Sequence, residues 1–565
     1  MGRVIQFALA ALTTLAVAAP LAAQETKPAI VVSFASHEKL MAAAEQIIQM
    51  SGVPAPKKPE EMFDEMVKEI TGGKALVGLD KSKPWGAVLP SGPSMADFLV
   101  FAPINDIKAL LDAMPENVKK TDEGDGVTKL SRADGPDTTC LKGANGWVYA
   151  AQTAQQLKAV PADPAALLGD LPARYLMAVK IKGANISPEQ RKELWANLEH
   201  GLPPDALEKF KSGVDQFDEV IIGWKVDAAA KQIIAEVTVT AIAGSQLAGM
   251  APRMADRPTR FAGLRGPDAA FFFATSIAGE LTPAELDEVK KQHDTALKAV
   301  LEQVDDDRTV PAESKPVVKE ALSTLLAVWF DTAKSGVRDG GLAVITQPKL
   351  GIVAGGNVSD GDAVVTALKR LATLVEGDPS VSELKWDAEE HGGYKLHVMK
   401  IKVPPPGALV VGDIVEIAAA VNKKSVLLAA GPDASATVKK VIDASAAGAE
   451  KVPAVAFTLR LKPLVEAAAK MGPPNPMLQP LVQQMAALKP GADEANFMSV
   501  PLDHGVMFRL TINEGAIKAI GLGIAIREAA MRPRPFPGGP GGPGGDGGFA
   551  PPPGKAPPDG GGFDN

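Results

Sequence analysis

The sequence predicts an α+β protein: a tandem duplication of one unit with a mainly antiparallel sheet and packed helices, ending in a disordered C-terminal tail. Three observations carry this. Apolar runs of strand length alternate with stripes of helical period. Most strand runs adjoin hairpin turns, such as Gly124-Asp-Gly126 and Asn145-Gly146, rather than long crossover helices. The same order of elements can be read twice along the chain.

Residues 1–23 read as a secretory signal. Arg3 supplies the positive start, Val4 to Ala19 an apolar stretch, and Ala22-Ala23 small residues before Gln24. Copy one follows over 24–250. Residues 251–266 (Ala251 to Arg260 at their core) are basic and Pro-bearing and read as a linker, and copy two occupies 267–532. Residues 533–565 hold 10 Pro and 12 Gly and read as a disordered tail, since such a composition cannot bury enough apolar surface to offset chain entropy. No other stretch has the ~18 consecutive apolar residues of a membrane span, so no transmembrane segment is expected after signal removal.

Each copy opens with an apolar strand, Ile30–Ser33 and Ala270–Ala274, and a helical region follows. In copy two that helix begins at a capping box, Thr282-Pro283-Ala284-Glu285. A strand pair comes next: Trp85–Leu89 with Asp97–Phe101, and Gly341–Ile345 with Leu350–Ala354. Each pair leads to a capped helix, with Asn105 or Asp106 as the cap in one copy and Ser359 or Asp360 in the other. After a meander, Trp147–Ala151 corresponds to Val426–Ala430 and Leu176–Ile181 to Ala454–Leu459. Pro-initiated helices at Pro188 and Pro463 then break at Pro203-Pro204 and Pro473-Pro474. Closing hairpins end each copy: Val220–Ile222 with Ala235–Thr240, and Phe497–Met498 with Val506–Ile512.

Gly78-Leu-Asp80 with Lys83-Pro-Trp-Gly86, Asn145-Gly-Trp147, Leu167–Pro172, Gly223–Asp227 and Val237–Ala248 resemble a family of uncharacterised exported tandem-repeat proteins of planctomycete-type bacteria. The resemblance covers most of copy one and the plan of copy two. It rests on turns and strands, and implies no activity, cofactor or partner.

Composition narrows the function. A formal net charge of −8 argues against nucleic acid as a partner, and a single cysteine forbids a disulfide framework or a cysteine-cluster metal site. The six histidines show no fixed ligand spacing. His37 carries no motif beyond its place in Ser36–Lys39, while His293 sits in a helix stripe, His504 in a hairpin turn and His200 at a helix end. His391 and His397 with Glu389 and Glu390 make up a candidate metal set, but one without a fixed ligand spacing such as His-Glu-x-x-His. Ser36-His-Glu-Lys39 matches the Ser-x-x-Lys pattern of a lysine-activated serine, and Lys334-Ser-Gly336 resembles its later strand, but the Ser-x-Asn element is missing and Ser382–Lys385 matches as cheaply. Asp305-Asp-Asp307 lacks the glycine and alternation of a calcium loop, Asn185-Ile-Ser187 and Asn357-Val-Ser359 are sequons without a bacterial use, and Cys140 reads as a buried, inert thiol.

The reading is therefore an exported, secreted or periplasmic, non-enzymatic binding or structural protein of the bacterial envelope, with no catalytic, cofactor or metal residues. Its expected partner is an envelope protein or an apolar ligand. One alternative is a carrier of an apolar ligand such as lipid, held against the Ala-, Leu- and Met-rich helices around Leu464–Met471 and Met477–Leu488. The other is a serine hydrolase of envelope peptides or esters using Ser36 and Lys39.

Overall fold

A computed structural model describes residues 27–531, apart from 55–56, 71–76, 133–137, 200–202, 267, 347–348, 406, 448–450 and 472–478. The expected leader and tail, His200 and the Pro473-Pro474 break lie outside these residues.

The protein is α+β, organised on one 20-stranded antiparallel sheet. In chain order the first strands are β1 (Pro28–Phe34), β2 (Trp85–Pro90), β3 (Leu99–Pro103), β4 (Val118–Asp122), β5 (Val127–Arg132), β6 (Thr138–Ala144), β7 (Trp147–Ala151), β8 (Met177–Lys182), β9 (Phe217–Asp227) and β10 (Gln232–Ala241). A two-residue strand β11 (Arg257–Pro258) precedes β12 (Ala269–Ala278), β13 (Val337–Ile345), β14 (Gly351–Asn357), β15 (Val381–His391), β16 (Tyr394–Lys402), β17 (Ile414–Val421) and β18 (Ser425–Gly431). The short β19 (Lys451–Val452) pairs with β11, and β20 (Val455–Arg460), β21 (Glu494–Leu502) and β22 (Gly505–Asn513) complete the set.

From one edge the pairing order is β4-β5-β6-β7-β3-β2-β1-β8-β9-β10. From the other edge it is β15-β16-β17-β18-β14-β13-β12-β20-β21-β22. The pairing order within 28–241 thus recurs within 269–513. The two series meet where β10 lies antiparallel to β22, from Gln232↔Asn513 to Thr240↔Gly505. The helix Glu514–Met531, from the end of the second series, packs on His37–Ser51 from the start of the first and makes a second bond between them.

Period-2 alternation distributes the cores. One face of the sheet carries the two largest. The first holds Val31, Phe101, Tyr149, Leu168, Leu171 and Tyr175. The second holds Phe272, Val353, Leu396, Leu427, Val438 and Ile442. The opposite face carries two smaller cores near the edges. Ile104, Leu110, Leu141 and Val148 gather at the helix Ile107–Asp112, and Val328 of the helix Lys315–Lys334 and Val364 of the helix Gly361–Ala372 pack with Ala419 and Val426 of the sheet.

Residues 251–266 are folded, which a linker does not anticipate. They form 3-10 turns at Ala251–Met254 and Ala262–Arg265 as well as β11. Phe261 and Leu264 are buried in the second large core, and Arg253 grips Glu285 with bonds of 2.6 and 3.2 Å. Two apolar anchors three residues apart are too few to set a period, so the sequence concealed this packing.

Candidate functional site

Among the described residues, the central strands present an apolar face that belongs to none of the four buried cores. Directly paired residues of antiparallel strands share a face, so a row can be followed across the sheet. It starts at Trp85, passes Phe34 and Met177, and reaches Trp224 and Ala235. It crosses the seam to Leu510 and runs through Phe497, Phe457 and Phe273. Leu342, Ala354 and Leu428 finish it. Every residue is apolar, and at ~4.8 Å per strand the row extends roughly 50 Å along the sheet.

Neighbouring positions on that face thicken the row. Phe497 and Phe508 stack at 5.8 Å between centroids, Phe271 lies 5.5 Å from Phe457, and Phe34 stacks on Trp85 at 4.0 Å. Met177, Trp224, Phe457, Phe497, Phe508 and Leu510 are only half-buried. Ile222 is 47% exposed, Phe273 38%, Ile352 44% and Leu428 43%. None of these ten residues belongs to any of the four buried cores. Scattered exposed apolar residues need no explanation, but a contiguous patch rimmed by folded structure marks a binding surface.

At the seam, the reverse side of β9, β10 and β22 carries an ionic cluster between the two large cores. Gly223 pairs with Glu236, and Glu236 with Arg509. Glu236 is buried; it accepts from the Tyr175 hydroxyl at 2.8 Å and the Arg509 Nε at 2.9 Å, with Lys225 Nζ at 3.4 Å. Arg174 donates to the Tyr175 hydroxyl at 3.0 Å. A Cβ on Gly223 would stand 2.6 Å from the Tyr175 ring, so glycine is what lets that ring reach the carboxylate. Burial favours protonation of Glu236, but the Tyr175 hydrogen bond and the charges of Lys225 and Arg509 outweigh it and hold its pKa below 4.5.

The sequence-level chemical candidates do not converge. Ser36 caps the helix His37–Ser51, its hydroxyl accepting from the Lys39 amide at 3.3 Å, while the Lys39 side chain is exposed. A lysine acting as base must be desolvated beside the hydroxyl, so the serine hydrolase alternative loses its geometry. The His391 set is split: His391 bonds Asp443 at 2.7 Å, Glu389 pairs with Lys439 at 2.8 Å, and buried His397 accepts the Asp387 amide on Nδ1 at 3.0 Å. Burial, helped by Lys369 and Lys395 against Asp387, lowers the His397 pKa; its Nε2 has no hydrogen-bond partner among the described residues. No group of three or more metal-binding side chains occurs among the described residues. His37 bonds Glu60 at 2.7 Å, and His293 lies against Phe330 with a 3.1 Å contact to Asp294. Asp305 pairs with Lys319, and Asp307 closes a turn onto Thr309. Asn185 donates to the Pro28 carbonyl, so the first sequon is a strand anchor. Cys140 is buried, and that burial raises its thiol pKa.

Of the two apolar helices, Leu461–Met471 packs beside Gln479–Ala486, and the latter buries Leu481 and Met485. Glu236 and the buried Asp97, whose carboxyl accepts from Gln156 at 3.1 Å, escaped the sequence reading. A lone Glu within Ala-Glu-Val-Thr resembles any outward strand position; only its neighbours in space mark it. Among the described residues no helix is long and apolar enough to cross a membrane. No protein-family model, curated protein or solved structure matches the chain.

Proposed function

We propose that the chain is an exported, non-enzymatic binding protein of the bacterial envelope that carries an apolar ligand such as lipid on the central sheet face. The observation that carries this reading is the unbroken apolar row from Trp85 to Leu428, with Ile222, Phe273, Ile352 and Leu428 open to solvent. Apolar area exposed in this way costs about 25 cal/mol per Å² until a ligand covers it. The signal-like residues 1–23 support export.

A tandem duplication of one α+β unit accounts for the recurring pairing order. It also accounts for two alike helix caps: Asp106 at φ −151° and ψ 108°, and Asp360 at φ −148° and ψ 102°. On this reading the apolar face is continuous because two copies of the same half-face are joined edge to edge at β10 and β22.

The test is to purify the mature protein from the envelope, extract it with organic solvent, and reload it with a fluorescent fatty acid. Extracted lipid and saturable reloading are expected, with Ile222→Glu and Phe273→Glu each weakening reloading about tenfold at unchanged thermal midpoint. Absence of both lipid and reloading overturns the carrier reading. A protein co-purifying on this face in place of lipid favours a structural partner.

A further inference from the structure

The second half holds a cleft of about 1130 Å³, distinct from the apolar row. Strand β11, the ends of β12, β13 and β14, two hairpin turns and the last turn of the helix Ala434–Ala446 enclose it. Three cations line it, Arg257, Arg260 and Lys424, against one carboxylate, Asp339. Asp339 is already engaged, accepting the Thr259 hydroxyl at 2.6 Å and the Arg260 backbone N–H at 2.9 Å. Among the described residues none of the three cations forms a salt bridge, in a chain whose net charge is −8. Among the described residues Lys424 Nζ donates only to the Ser359 carbonyl, at 2.9 Å. Arg257 donates Nη2 to the Pro252 carbonyl at 3.2 Å, but its buried Nε has no partner among the described residues. A buried donor left unpaired is costly, and an acceptor brought by a ligand removes that cost.

The hydroxyls of the cleft have directions. Ser425 donates to Asn422 Oδ1 at 2.9 Å, so the 2.7 Å contact between Tyr394 and Ser425 has the tyrosine as donor. The Tyr394 oxygen therefore keeps a lone pair for a ligand hydroxyl. Ser445 accepts the Gly263 amide at 3.0 Å, and its own hydrogen is left to donate. Leu427 and Ile442 supply an apolar wall between them. Cations for a carboxylate, a donor and an acceptor for hydroxyls, and a wall for C–H groups describe one ligand class.

We propose that this cleft binds a carboxylated sugar. Arginine's planar fork suits the carboxylate, while Tyr394 and Ser445 take the ring hydroxyls. The test uses the full mature protein and calorimetric titration with glucuronate, glucose and acetate. Saturable glucuronate binding is expected, falling with added salt, at least about tenfold tighter than glucose or acetate. Arg257→Met should weaken it about tenfold and Tyr394→Phe about threefold, with unchanged circular dichroism. If Arg257→Met does not fold, Arg260→Ala with Lys424→Ala replaces it and should weaken binding as much. The proposal is overturned if glucuronate gives no saturable heat at about 10 mM, if glucose or acetate binds equally well, or if the cation variants keep full affinity. Lipid loading on the sheet face is read separately, so either result stands without the other.

Discussion

Glu236 is a carboxylate buried at the middle of a sheet, and its neighbours explain how it is tolerated there. Tyr175 and Lys225 come from its own half of the chain, whereas Arg509 comes from the other, so this carboxylate ties β10 to β22. Breaking such a cluster from one side leaves buried donors unpaired. Glu236→Gln is expected to destabilise the protein by about 1–3 kcal/mol in urea unfolding, more than Tyr175→Phe does, because the amide cannot answer Arg509. The pH dependence follows from linkage. The folded pKa of Glu236 lies below 4.5, and Arg253, despite partial burial and with help from Thr282, holds Glu285 at about 2. Depressed carboxylate pKa values contribute stability that is present above pH 4.5 and lost as pH falls through the folded values. Thermal midpoints should therefore decline between pH 4.5 and 2, and decline less steeply in Glu236→Gln.

At the scale of elements, local chemistry sets most boundaries. Asp106 accepts from the amides of Lys108 and Ala109, and Asp360 from that of Ala363, which fixes where two helices start. Asp106→Ala and Asp360→Ala should each cost about 1 kcal/mol in chemical denaturation, and about as much as one another, since each cap serves the same function at matching backbone angles. The capping box at Thr282 forms as its sequence reads, with the additional grip of Arg253 on Glu285. Asn145 and Gly146 adopt φ of 53° and 77°, the left-handed pair that a tight hairpin needs, and they join β6 to β7. Such features were legible because each depends on residues within a few positions of one another.

For the molecule as a whole, cohesion is greatest at the centre of the sheet. There β8, β9 and β10 meet β22, β21 and β20 with strands paired on both sides, whereas β4 and β15 are edges paired on one side. Amide exchange by mass spectrometry should be slowest in β9, β10, β21 and β22 and fastest in β4 and β15. Slow exchange at the edges and fast exchange at the β10–β22 seam would mean that the halves open independently in solution. A continuous seam is also what makes the apolar face one surface rather than two.

The sequence by itself determined the α+β class, most strand positions, the helix caps and the hairpin turns. Period 2, a local property, divides the residues of each strand between two faces, but it does not say which face is covered. The candidate chemistry at Ser36, His391 and Asp305 was readable as residues but not as neighbours. Only the tertiary structure decided that β10 pairs with β22, that Phe261 and Leu264 enter a core, and that Glu236 meets Arg509. It alone decided which apolar face stays open, since Trp224 and Phe457 look in sequence like the strand residues that are fully covered. The reason is physical: alternation says that two faces differ, but covering a face is the work of segments hundreds of residues away, and no local pattern records where they settle.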